Sequence, residues 1–294
     1  MSEIELNMNN VRILVDNLRG LKFTESPRWR DGKWWFLDIH GHAIKTVDLD
    51  GSLETILEVP FKPNGFGFHA DGSLIFSDAL QRRIYRWDGK STELMADLSA
   101  ITVFCLSDGF VDNKGRMYIG DIGYNFFDPT QNPVDTCVIV CVDPDGSSRV
   151  VTRGLSFPNG MAITPDGMML IVAETMGHRL TAFDILADGA LANRRVFAPL
   201  PDNVHPDGIA LDAEGAVWVA SPESQPTVLR VREGGEIVER IEMDTHAYAV
   251  MLGGPERRHL LISASNSHNP AEIATSPSAT LRVVEVHVPG AGRP

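Results

Sequence analysis

A sixfold internal repeat constrains this chain more than any other feature of its 294 residues. Its clearest copy is FPNGMAITPDG, Phe157 to Gly167, which reads as a loop, a short apolar strand and a tight turn at Pro165-Asp166-Gly167. A second apolar strand, MLIVAE, then runs to Glu174. The pattern recurs in KPNGFGFHADGSLIFSD from Lys62, CLSDGFVDNKGRMYIGD from Cys105 and HPDGIALDAEGAVWVAS from His205. SPRWRDGKWWFLD from Ser26 is the first copy and AVMLGGPERRHLLIS from Ala249 the last. The turn positions Gly32, Gly72, Gly115, Gly167, Gly215 and Arg257 fall 40 to 52 residues apart. A period of that length with several strands per unit is the signature of a propeller.

Each copy continues into a third strand, and five continue into a fourth β-rich run such as LETILEV or SRVVTRG. The last copy has no fourth run, but VRILVD, Val11 to Asp16, precedes the first copy with the right character. An open ring would leave strand edges unpaired, so this segment is expected to complete the final sheet. The expectation is an all-β, six-bladed β-propeller of four-stranded blades, closed by its N-terminal strand. Residues 1–294 form one domain, with residues 1–10 as a frayed tail.

Composition narrows the function classes. A net charge of −13 argues against nucleic acid as a partner. No run approaches a membrane span, and MSEIELNMNN lacks the charged-then-apolar pattern of a signal peptide, so a cytoplasmic protein without a membrane partner is expected. Cys137 and Cys141 flank an apolar VIV run and read as small strand residues; Cys105 completes an odd set. No G-x-S-x-G elbow and no cysteine in a nucleophile context is present, which leaves covalent acyl transfer unsupported.

Two stretches break the repeat. Asp121 to Thr136, DIGYNFFDPTQNPVDT, is inserted between the second and third strands of blade three, and Tyr124, Phe126 and Phe127 suggest an ordered lid. Ser265 to Ala279 holds the matching place in blade six, and its Ser, Pro and Ala content suggests a flexible segment.

The first strand of each blade lines the axis, so equivalent residues at its entrance form a ring around one mouth. Counting eight back from the turn gives Asn64, Ser107, Asn159, Asp207 and Ala249, with Glu25 seven back in blade one. Asn-Gly and Asp-Gly pairs are ordinary turn formers, and Asn64 alone would carry little weight. Repetition does not, however, explain different acidic and amide groups at equivalent places. Glu25, Asn159 and Asp207 thus offer oxygens suited to a hard divalent cation. Asp38, Asp78, Asp121 and Glu174 end the second strands and read as strand-end hydrogen bonders or supports behind the ring. His246 and His205 lie near the rim, as proton shuttles, substrate contacts or hydrogen-bonded wall residues.

The chain resembles the gluconolactonase family, which includes senescence marker protein (regucalcin) and luciferin-regenerating enzyme. The resemblance runs from TESPRW to the tail and rests on ESPRW, FPNGMAITPDG, PDGIALDAEGAVWVA and AVMLGGPERRHLLIS. It implies one divalent metal on the axis of a six-bladed propeller, with Glu25, Asn159 and Asp207 matching the protein ligands. Calcium is the leading candidate, with Mg²⁺, Mn²⁺ and Zn²⁺ also suited to such a site. Where many members have Asn-Asp-Gly or a similar pair, this chain has Ser107-Asp108-Gly109, and Ser107 shortens the reach of an amide to that of a hydroxyl. The substrate-contact set is then Ser107, Asp108, Asn64, Tyr124 and His246. The reaction implied is metal-assisted opening of a sugar-type or more apolar lactone, with Asp207 accepting a proton from the attacking water. Phosphotriester hydrolysis on the same centre, and a non-catalytic calcium- or ligand-binding propeller, are the alternatives. The oligomeric state is left open.

Overall fold

The computed structural model describes residues 4–5, 10–223 and 225–292. They form six sheets around one axis, each with four antiparallel strands. Blade one is Thr24–Arg30, Lys33–Asp38, Ala43–Val47 and Leu53–Glu58; blade two is Pro63–Phe68, Leu74–Asp78, Arg83–Trp87 and Thr92–Asp97. Blade three is Leu106–Val111, Met117–Asp121, Cys137–Val142 and Ser148–Leu155; blade four is Pro158–Ile163, Met169–Glu174, Arg179–Ile185 and Leu191–Pro199. Blade five is Ile209–Leu211, Val217–Ser221, Thr227–Val231 and Ile237–Glu242. Blade six is His246–Gly253, His259–Ser265 and Thr280–Glu285, and its outer strand is Arg12–Val15.

The ring therefore closes as expected. Arg12 pairs with Val283, Ile13 with Arg282 and Val15 with Leu281, antiparallel. Within the stretch expected to fray, Ile4–Glu5 instead pair in parallel with Glu239 and Arg240 as a fifth strand of blade five. The other residues of that stretch, Asn10 apart, lie outside the described residues.

Alternating strand side chains bury apolar residues on both faces of each sheet, and six apolar layers result, one between each pair of neighbouring blades. Val219 and Leu229 meet Ala173 and Leu180 between blades four and five. Trp34 and Phe36 meet Leu261 and Leu281 between blades one and six, joined there by Leu14 and Val15 of the closing strand. The Trp34 indole also donates to the Met251 carbonyl at 3.1 Å, tying blade one to blade six.

All three cysteines are buried free thiols. Burial holds Cys105 up at about 12, and Cys137 and Cys141 at about 11, so none presents a thiolate. Among the described residues no helix is long and apolar enough to cross a membrane.

The second irregular stretch differs from expectation. Asn269 caps a short helix, Pro270–Thr275, by accepting from the Ala271 amide at 2.9 Å. Ile273 on that helix is buried against Phe23 and Tyr248. One apolar side chain in a polar sequence is enough to anchor the turn, a signal that composition hides.

Candidate functional site

The mouth is shaped by a shared irregularity. The register slips between Glu25 and Arg28, Asn64 and Phe66, Leu106 and Gly109, Pro158 and Met161, and Ala247 and Ala249. A bulge of this kind bends the strand and re-aims its side chains. In blade five the inner strand begins later, at Ile209, while Asp207 is fixed by its amide donating to the Ala220 carbonyl at 2.9 Å.

The glycines after the ring residues serve a different purpose from turns. A Cβ on Gly208 would lie 2.6 Å from the Ala249 Cα, and one on Gly160 would lie 2.7 Å from the Gly208 Cα. Neighbouring inner strands touch here, so the Asn-Gly and Asp-Gly pairs mark close approach of backbone to backbone.

This packing brings Glu25, Asp108, Asn159 and Asp207 together. Burial pushes the Glu25 carboxyl well above its usual range, and the Asp207 and Asp108 charges push it further; the Ser26 amide and Arg28 only partly oppose them. Burial likewise raises Asp207, with Asp108 adding to the effect and the Asn159 amide opposing it. Glu25 is 8% exposed, while Asp207 and Asn159 keep more of their surface open.

Asn159 donates to the Thr175 hydroxyl at 3.2 Å, and Thr175 donates onward to the Pro206 carbonyl at 2.8 Å. That relay leaves the Asn159 Oδ1 facing the ring, where Ser107 Oγ donates to it at 3.4 Å. Asp108 turns toward blade one and accepts from Ser26 Oγ at 2.7 Å and from the Gly109 amide at 2.8 Å.

Other expected site residues are less open. Asn64 uses its amide on the Leu106 carbonyl at 3.2 Å and its oxygen on the Gly65 amide at 3.0 Å. Tyr124, on the insertion, is buried in an apolar cluster with Cys105, Ile122 and Phe157. His246 is held through Nδ1 by the Pro222 carbonyl, with its ring 6.3 Å from Tyr248. Burial lowers the affinity of His205 for a proton, and the His178 ring packs edge-on 4.6 Å away.

The outer carboxylates are strand-end fasteners. Asp38 accepts from the amides of Lys22, Phe23 and Gly41 and pairs with Lys45 at 3.1 Å. Asp78 accepts from the amides of Leu80 and Gln81. Asp121 joins the Val103 and Val138 amides, and Glu174 binds the Ser156 amide, Arg179 and Arg194.

Two contributors escape sequence reasoning. Arg28, inside ESPRW, is buried between the Phe66 and Phe110 rings, 5.6 and 5.1 Å from their centroids. It donates to the Gly109 carbonyl at 2.6 Å and lies 3.6 Å from Asp108, making it the counter-charge at the bottom of the mouth. Tyr248 comes from blade six beside Ala249, where the ring has no polar group of its own. Its only sequence signal was an aromatic next to an axial position.

The residues fit a hard cation by donor type: two carboxylates and an amide oxygen, whose mutual repulsion a positive ion would relieve. Among the described residues no three His, Cys, Asp or Glu side chains form a ligand group on their own. The fitting set therefore depends on the Asn159 amide.

Residues 23–266 match the family model described as SMP-30/Gluconolactonase/LRE-like region. The chain belongs to this family. Among its relatives, 6-deoxy-6-sulfogluconolactonase of Pseudomonas putida is 28% identical over 281 residues, covering 92% of this chain and 93% of that protein. Pentonolactonase XacC of Haloferax volcanii is 26% identical over 251 residues, covering 82% and 81%. The solved structure of the calcium-binding protein regucalcin from Agrobacterium tumefaciens superposes with a TM-score of 0.80 at 21% identity, covering 100% of this chain and 99% of that one. That likeness establishes the shared propeller of the gluconolactonase family.

Proposed function

We propose that this member of the family is a divalent-metal-dependent lactonase. The observation that carries the proposal is the convergence of Glu25, Asp207 and the Asn159 amide at one mouth, with Asp108 close by, at a cost in electrostatic repulsion that a scaffold has no need to bear. Its lactonase relatives add support from outside the chain.

Glu25, Asn159 and Asp207 would hold the cation, with calcium the first candidate. When bound, it supplies Lewis-acid polarisation of the ester carbonyl and positive charge for the developing oxyanion. Asp207, open at the mouth, accepts a proton from the attacking water as the water oxygen bonds to the carbonyl carbon. The ring carbon–oxygen bond then breaks, and the same proton passes from Asp207 to the leaving alkoxide. Ser107, donating to Asn159, keeps the amide oxygen turned toward the ring. Asp108, tied to Ser26 and Arg28, serves as a fixed negative wall on the blade-three side.

Acid release from calcium-loaded protein, followed with a lactone, an aryl ester and a phosphotriester in parallel, tests this function. Lactone opening that stops on chelation and returns with cation is expected. Turnover of the phosphotriester alone would move the chemistry to phosphorus, and turnover of none would leave a binding protein.

A further inference from the structure

The two irregular stretches come from blades three and six, which stand opposite each other in a six-bladed ring, yet their side chains meet. The Phe126 and Phe127 rings of the blade-three insertion lie 6.2 and 6.1 Å from the His268 ring of the blade-six stretch. Elements on opposite blades touch only by crossing the mouth.

The contacts continue on both sides. Phe126 packs on Phe127 at 4.1 Å and on Phe157 at 5.8 Å, and Phe157 stands two residues before Asn159. His268 packs edge-on to Tyr248 at 6.2 Å, and Tyr248 packs edge-on to Phe23 at 4.8 Å. Phe23 stands two residues before Glu25. An unbroken chain of rings thus runs from beside one ring residue to beside another. Phe127, at one end of this chain of rings, remains 45% exposed.

Charge limits what fits beneath. Beside the cation's own ligands, Glu223 and Glu272 act electrostatically on both Tyr248 and His268. An anionic substituent under these rings would meet those two carboxylates without a compensating cation from the arch. A chain of hydroxyls would lose hydration against ring faces that offer few partners, and a flat apolar group meets neither cost.

We propose that this aromatic arch selects the substrate: a neutral lactone carrying a fused aromatic or alkyl group, in preference to a polyhydroxylated or anionic one. The inference deepens the lactonase function and rests on it for turnover, but not for binding. His268 joins the rings of the blade-three insertion to Tyr248 on the blade-six inner strand and is the specificity residue to change.

The test uses calcium-loaded full chain and two probes. A benzo-fused δ-lactam, the non-hydrolysable counterpart of a benzo-fused δ-lactone, reports binding by calorimetry. The benzo-fused δ-lactone and glucono-1,5-lactone report turnover. The parent should bind the lactam, His268→Ala should weaken it at least fivefold, and His268→Phe should stay within twofold of the parent. The ratio of kcat/KM for the benzo-fused lactone over gluconolactone should exceed ten in the parent and fall in His268→Ala through KM. Equal lactam affinity in parent and His268→Ala, absence of lactam binding, or a parent preference for gluconolactone overturns the inference. His268-dependent binding without turnover of either lactone upholds the arch and contradicts the hydrolase function instead.

Discussion

The Ser26 hydroxyl donates a 2.7 Å hydrogen bond to the Asp108 carboxylate, joining blade one to blade three across the inner end of the mouth. Both residues are buried, and each neighbours a residue of the ring: Ser26 follows Glu25, and Asp108 follows Ser107. Arg28 completes the link from below through Asp108 and the Gly109 carbonyl. The carboxylates of the mouth are thus mounted on a cross-ring brace whose one guanidinium is clamped between two phenyl rings.

Replacing Arg28 with Met keeps the apolar stem but removes that charge. Asp108 and Glu25 would then be buried without their cation, and a loss of about 3–5 kcal/mol is expected. Urea denaturation of the cation-free protein measures it. A change under about 1 kcal/mol would show that the brace carries no weight.

Much of the fold was legible because a propeller writes its period into the chain. Six turn positions and a stray N-terminal strand sufficed to give blade number and closure. Glu25, Asn159 and Asp207 were legible because their types differ at equivalent places while the strands around them do not. Arg28 was not, since a charged residue in a strand reads as solvent-facing until two phenyl rings from other blades enclose it. His268 was hidden for a related reason. Its ring contacts join residues about 140 positions apart, and no local pattern reports them.

Closure of the ring predicts a large effect of truncation. Leu14 and Val15 are 8% and 1% exposed within the layer between blades one and six. Deleting residues 1–16 removes both and bares the edge of Thr280–Glu285, at a cost of about 3–6 kcal/mol from apolar burial alone. A thermal melt with light scattering should show a lower midpoint and aggregation. An unchanged midpoint would contradict the closure as a source of stability.

Glu174 predicts acid sensitivity in blade four. Burial works to raise its pKa, but Arg179, Thr181 and the Ser156 amide outweigh that and hold it below the ordinary 4.5. A carboxyl depressed in the folded state contributes stability that is present above 4.5 and lost as pH falls through the folded value. Glu174→Gln should therefore destabilise the protein by about 2 kcal/mol at pH 7 and progressively less below the ordinary pKa. Urea midpoints from pH 3 to pH 7 check it, and a mutant deficit independent of pH would refute the assignment (roughly one such carboxyl sets the slope).

The proposed function requires that Glu25, Asn159 and Asp207 hold one divalent cation on which hydrolysis depends. Calorimetric titration of calcium into cation-free parent and Asp207→Ala protein, with a melt of each, tests it most directly. The parent should bind close to one equivalent and gain stability on loading. Asp207→Ala should lose both responses while its cation-free form melts no lower than the parent, because removing Asp207 relieves the repulsion on Glu25. Equal calcium binding by parent and Asp207→Ala would contradict the claim.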